Sequence, residues 1–166
     1  MTEPARSRVV VGLGNPLMGD DGIGLAALER LAASGAVPRD VELVDGGTWG
    51  MNLLHLIESA DVMILLDAIH TGAAPGTVTE LEGDAVPRRL AHKLSPHQID
   101  LGEVLALAAL RGTLPPRLIA IGIEPAVVEM RTALSPQVAA ALPRMLARVI
   151  ERLEELGPRP SALAAS

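Results

Sequence analysis

Hydrophobic and polar positions along this chain alternate between two regimes. Short runs rich in β-branched and aliphatic residues occur at Arg8–Gly12 (RVVVG), Val41–Asp45 (VELVD), Val62–Ala68 (VMILLDA) and Arg117–Ile123 (RLIAIGI). The nearly unbroken apolar run at Val62–Ala68 predicts a central strand covered on both faces. Between these runs lie segments with helical spacing, at Gly22–Ala33, Gly50–Glu58 and Ser95–Leu110. Thr77–Leu81 alternates instead and follows "GAAPG", which predicts an edge or antiparallel strand. The last helix carries Val138, Leu142, Met145, Val149, Leu153 and Leu156 on one stripe. Pro143 interrupts it and predicts either a kink or a helix start nearer Ala141.

Strands and helices alternating in this order predict an α/β fold. The expected architecture is a three-layer sandwich: a mostly parallel five-stranded sheet, one strand antiparallel, with helices on both faces. Residues 8–156 read as a single domain, preceded by a flexible N-terminus (1–7) and followed by a loose tail (157–166). In such sheets ligands bind beyond the carboxyl ends of the strands, at a topological switch point.

Composition narrows the function classes. A chain of 166 residues is long enough to bury a core of its own. With no Phe or Tyr and a single Trp, at position 49, that core must be aliphatic. The absence of cysteine removes disulfides and thiolate metal ligands, and is compatible with a reducing cytosol. A net charge of −6 without a Lys/Arg cluster argues against a nucleic-acid partner. The opening MTEPARSRVVV has no long apolar core before a cleavage signal, and no run of about 18 apolar residues follows. The expectation is a soluble, cytoplasmic protein that does not insert into membranes.

The chemistry gathers where the strands end. "VVVGLGNPLMGDDGIG" (9–24) looks like a phosphate-cradling glycine loop, but its two adjacent carboxylates would repel phosphate. Asp20 reads as part of the turn in that loop or as the cap of the helix starting near Gly22. Asp45 ends the second run. Asp67 interrupts the third, where a buried carboxylate needs a cation, a metal or N–H donors; the plainer reading is a cap on the following loop. In "LSPHQ", Ser95, Pro96 and Gln98 fit an N-cap, a first-turn proline and a capping-box partner. His97 then stands in the first turn, where the helix dipole disfavours imidazolium and leaves a neutral nitrogen able to ligate. The alternative is an ordinary exposed histidine. His55 reads as surface or partly buried packing, His92 as solvent-facing, and His70 as part of a solvated loop, with lining the same pocket as Asp67 as its alternative. Two strand-end carboxylates and such a first-turn imidazole would form an open oxygen/oxygen/nitrogen set, suited to a borderline divalent ion with vacant positions.

"VVVGLGNP" by itself resembles the opening of bacterial peptidyl-tRNA hydrolases, but here it continues "LMGDDGIG" instead of into their histidine-bearing segment. Taken in order, the motifs resemble the maturation endopeptidases of NiFe-hydrogenases much more closely. The matching residues are Gly12, Gly14, Asn15, Asp20, Asp21, Gly22 and Gly24, followed by "DGGT" at Asp45–Thr48 and "LLDAI" around Asp67. "APGT" at Ala74–Thr77, "SPHQ" at Ser95–Gln98, "GIEP" and "LSP" complete the series, from about Val9 to Leu156. The "SPHQ" form is similar to the branch serving membrane-bound, uptake-type hydrogenases.

The resemblance implies an endopeptidase that removes the C-terminal extension of a nickel-loaded large-subunit precursor. The nickel arrives with the substrate, and no tightly held metal is expected in the isolated protein. It carries metal contact and catalysis to Asp21, Asp67 and His97. Where relatives often have glutamate at the first position, this chain has the shorter aspartate. Gly46, Gly47 and Thr48 are expected to shape the cleft that admits the substrate tail, with Trp49 either on its rim or simply packed. The protein is expected to be monomeric. The alternative is a non-catalytic nickel-binding chaperone on the same scaffold.

Overall fold

A computed structural model describes residues 7–46, 52–90 and 101–157. Four of the apolar runs are strands with the expected bounds: β1 (Arg8–Gly12), β2 (Val41–Asp45), β3 (Val62–Ala68) and β5 (Arg117–Ile123). β4 spans Val78–Glu82, one residue later than its alternation suggested. The sheet order is β2-β1-β3-β5-β4. The first four are parallel neighbours in that order, and β4 runs antiparallel to β5. β1 therefore has β2 on one side and β3 on the other, so the chain reverses its direction of travel across the sheet between them. This is the switch point.

Period-two alternation sends successive side chains to opposite faces. Val9, Val11, Met63, Leu65, Leu118 and Ala120 pack beneath α2 (Asn52–Ser59), α3 (Ala85–Leu90) and α4 (Leu101–Leu110). Val10, Ile64, Leu66, Ile119 and Ile121 pack against α1 (Ile23–Ser34) and α5 (Pro136–Glu155). Helices thus cover both faces, as the three-layer expectation required. The α5 stripe is buried at Val138, Leu142, Met145, Val149 and Leu153.

Several boundaries differ from the sequence reading. α5 starts at Pro136, not near Ala141: Ser135 is its N-cap, accepting from the Val138 N–H, and Pro136 takes the first-turn position. Pro143 lies inside the helix on its exposed side, where the Ala139 carbonyl it leaves without an N–H faces water. α3 was not apparent because it is only six residues long and contains Pro87. Asn52–Ser59 corresponds to the predicted Gly50–Glu58 helix, and the first part of predicted Ser95–Leu110 lies outside the described residues. Residues 1–6 and 158–166, which include nearly all of both expected loose ends, also lie outside them. Ser7 pairs through its backbone with Asp61 and Val62.

The termini of the fold are joined by a buried cation. Arg8 is 2% exposed, and its guanidinium donates to both oxygens of Asp40 at 2.7 Å. It also donates to the carbonyls of Leu153 (2.9 Å) and Leu156 (3.2 Å) at the end of α5. Those carbonyls have no partners within the helix, so a cation there stabilises the helix end. Among the described residues, no helix is long and apolar enough to cross a membrane.

Candidate active site

The carboxyl ends of β1 and β3 meet side by side, and the glycine loop leaves β1 at that point. Leu13 continues the pairing, donating its N–H to the Leu66 carbonyl at 2.9 Å. Gly14 then turns with φ +106°, a conformation open to glycine and rare for other residues. A Cβ at Gly14 would lie 1.9 Å from the backbone oxygen of Asp21 and 3.5 Å from Oδ1 of Asp67. The missing side chain is what lets the two acid-bearing segments approach. Gly24 does the same for α1, where a Cβ would lie 2.1 Å from the Leu66 carbonyl.

Asp21 is partly exposed, and its Oδ2 accepts the Asn15 N–H at 2.9 Å. The Asn15 side chain in turn accepts the Leu17 N–H at 2.9 Å, so a closed turn fixes the loop carrying Asp21. Asp67 is 4% exposed, and its Oδ1 accepts the Ala68 N–H at 2.8 Å. By alternation with Met63 and Leu65, Asp67 faces the side covered by α2, α3 and α4. That bond is made within β3, whose last residue is Ala68, and the adjoining Gly14 brings Asp67 beside the Asp21 segment.

Asp20 does not cap α1. The N-cap of that helix is Gly22, without a side-chain bond, and Asp20 turns inward to the loop that follows β5. Fully buried, its Oδ2 accepts the N–H groups of Ala126 and Val127 (both 2.9 Å) and the Ser135 hydroxyl (2.8 Å). Its Oδ1 accepts the Ser135 N–H at 2.7 Å. Burial pushes this carboxyl up, but the hydrogen bonds from Ser135, Val127 and Ala126 outweigh it and hold the pKa below its ordinary value.

Glu124, which sequence reasoning did not single out, clamps a second loop. It is buried, and its Oε2 accepts the N–H (2.7 Å) and hydroxyl (3.0 Å) of Thr71, while Oε1 accepts the Gly72 N–H at 3.1 Å. Burial opposes its ionisation, and the bonds from Thr71 and Gly72, with nearby His70, more than offset it. A glutamate directly after an apolar strand was the available signal. The "GIEP" and "LSP" motifs thus serve to fasten the loops around the candidate site.

The other predicted residues fall in different places. Asp45 ends β2, the outer strand, and is exposed. His55 and His70 are exposed. Gly46 is buried, and the space of its missing Cβ is taken by Val11 (2.6 Å) and Leu13 (2.8 Å), which gives it a packing role at the end of β2. Gly47, Thr48, Trp49, His92 and His97 lie outside the described residues. Among the described residues, no group of three His, Cys, Asp or Glu side chains is placed to hold a metal. The set proposed from sequence includes His97 and therefore extends beyond them.

A family model described as hydrogenase maturation protease matches residues 25–152. The chain belongs to this family. It is 37% identical over 150 residues to the hydrogenase 2 maturation protease of Escherichia coli, covering 90% of this chain and 92% of that one. It is 38% identical over 151 residues to the hydrogenase expression/formation protein HupD of Thiocapsa roseopersicina, covering 90% and 68%. The solved structure of the hydrogenase maturating endopeptidase HybD from E. coli superposes with a TM-score of 0.81 at 36% identity, covering 93% of this chain and 99% of that one. As a hydrogenase maturation protease, this member of the family is a hydrolase with an endopeptidase role in hydrogenase maturation.

Proposed function

We propose that this protein removes the C-terminal extension of a NiFe-hydrogenase large-subunit precursor that already carries nickel, and that Asp21, Asp67 and His97 contact that nickel. The observation that carries this reading is the convergence of the Asp21 segment and Asp67 on Gly14 at the switch point. Family membership supports the substrate. Support for His97 comes from the resemblance at "SPHQ" (Ser95–Gln98), which carries the metal-contacting histidine to this position.

An open set of this kind suits an ion that brings most of its ligands with it. Nickel-free precursor then lacks an anchor, and processing waits until the metal is installed. Cleavage is hydrolysis: the oxygen of a water joins the scissile carbonyl carbon, and the bond to nitrogen breaks. One of the two aspartates accepts the proton from the water, and the departing amine takes up a proton. Substrate nickel would polarise the carbonyl or the attacking water. The Gly46–Thr48 segment forms part of the cleft for the substrate tail, and the protein acts as a monomer in the cytoplasm.

Incubating the purified protein with precursor, with and without nickel, tests this by the size of the large subunit on a gel. Shortening is expected only with nickel and not with Asp67→Asn. Equal shortening without nickel overturns the recognition step, and full activity of Asp67→Asn overturns the site. Binding without shortening would instead identify a nickel-binding chaperone.

A further inference from the structure

Five large apolar residues are well exposed among the described residues: Leu17, Leu107, Leu110, Val128 and Met130. Leu17 (60% exposed), Val128 (47%) and Met130 (88%) belong to two loops that are stitched to each other. Arg131 donates its N–H to the Leu17 carbonyl (2.9 Å), Gly19 to the Arg131 carbonyl (2.7 Å) and Asp20 to the Val127 carbonyl (2.8 Å). Met18 and Arg131 form a parallel bridge between the same segments. Gly19 has φ +62°, and a Cβ there would lie 2.8 Å from the Val127 carbonyl, so the two backbones are in close contact. Beneath them lies the buried Asp20 carboxylate with its bonds from Ala126, Val127 and Ser135.

These apolar side chains are therefore held in water on a rigid base. A cluster of exposed apolar residues on fixed backbone marks a surface that a partner covers. Its position suggests which partner. Leu17 belongs to the turn that Asn15 closes onto Asp21, so the apolar residues are tied to the loop that carries the candidate active-site acid. Glu129 and Arg131, 3.9 Å apart and both solvent-exposed, give it the polar border typical of a protein interface.

We infer that Leu17, Val128 and Met130 form a docking rim for the large-subunit precursor, covering an apolar strip of its surface beside the segment to be cut. This rests on the proposed function for the identity of the partner. The rim contributes affinity, and the acids act on the bound segment.

The test measures binding of nickel-loaded precursor to wild type, to Met130→Ser, to the Leu17→Ser/Met130→Ser double variant, and to Leu110→Ser. Leu110 is 86% exposed at the end of α4, outside the two stitched loops, and controls for general stickiness. The double variant should bind at least tenfold more weakly, with a raised KM, a near-normal kcat and an unchanged melting temperature, whereas Leu110→Ser should match wild type. Met130→Ser alone should fall between them, which keeps the test valid if the double variant folds poorly. Wild-type binding by Met130→Ser and the double variant overturns the rim, as does an equal loss in Leu110→Ser. Precursor bound but not cut by wild type refutes the proposed cleavage, while the binding ratio still decides the rim. No binding by wild type overturns both.

Discussion

Ser135 donates both its backbone N–H (2.7 Å) and its hydroxyl (2.8 Å) to the carboxylate of Asp20, a residue 115 positions earlier in the chain. The same Ser135 hydroxyl oxygen accepts from the Val138 N–H (3.4 Å) and so caps α5. One buried carboxylate therefore anchors the start of α5, the loop after β5 and the loop that carries Asp21.

Asp20→Asn should show how much depends on that anchor. Whichever way the amide is turned, its NH2 group meets an N–H where an acceptor stood. Leaving such donors buried and unsatisfied costs about 2–4 kcal/mol. In a chain of this size the melting temperature should fall by roughly 5–15 °C. Processing should fall with it, because the neighbouring Asp21 loses its fixed position. A melting curve like that of wild type would refute the anchoring role.

Gly14→Ala should separate the site from the fold. The added methyl meets the Asp21 carbonyl in a backbone conformation unfavourable to alanine, so the loop must move. We expect a stability loss of about 1–3 kcal/mol and a drop in processing of roughly a hundredfold. The circular dichroism spectrum should remain that of the wild type. Processing at the normal rate would show that the spacing of the two acid segments does not matter.

Glu124→Gln removes one acceptor from the clamp on Thr71 and Gly72. The loop after β3 should open locally, and hydrogen exchange at those two amides should speed up by about tenfold or more, equivalent to about 1.4 kcal/mol. Exchange deep in β3 should change less. Uniform acceleration throughout the sheet would mean that Glu124 supports the whole fold and not one loop.

Acid should weaken the protein through the same two carboxylates. Asp20 and Glu124 both have pKa values held below their ordinary ones in the folded state. A lowered folded pKa contributes stability that is present above the unfolded pKa, near 4, and is lost as pH falls through the folded value. Stability should thus be flat with respect to these groups near neutrality and decline below about pH 4. In Asp20→Asn the decline should be shallower, because that carboxylate no longer titrates. An equally steep acid limb in chemical denaturation would remove Asp20 as a contributor.

Sequence carried much of this architecture because the signals involved were local. The strands β1, β2, β3 and β5 stand at their predicted bounds, since runs such as VMILLDA are stable only when covered on both sides. The start of α5 has a local signal too, the Ser135–Pro136 pair, which competes with the helix-breaking signal of Pro143. Asp20 departs from its expected role for a different physical reason. An aspartate just before a helix has the spacing of a cap, and nothing local reveals that its donors come from 106 to 115 residues away. Asp21 and Asp67 were legible as strand-end acids, whereas their common border at Gly14 depends on which strands are neighbours.

That neighbour relation constrains how the proposed cleft can evolve. The segments that carry Asp21 and Asp67 spring from β1 and β3, which are adjacent and in register from Arg8–Val62 to Gly12–Leu66. The gap between their bases is therefore the ordinary inter-strand spacing of about 4.8 Å, maintained by the backbone ladder. No side-chain substitution can widen it without breaking that ladder. Changes in the size or shape of what enters must come from the loops above, whose lengths can vary while the sheet stays as a fixed gauge.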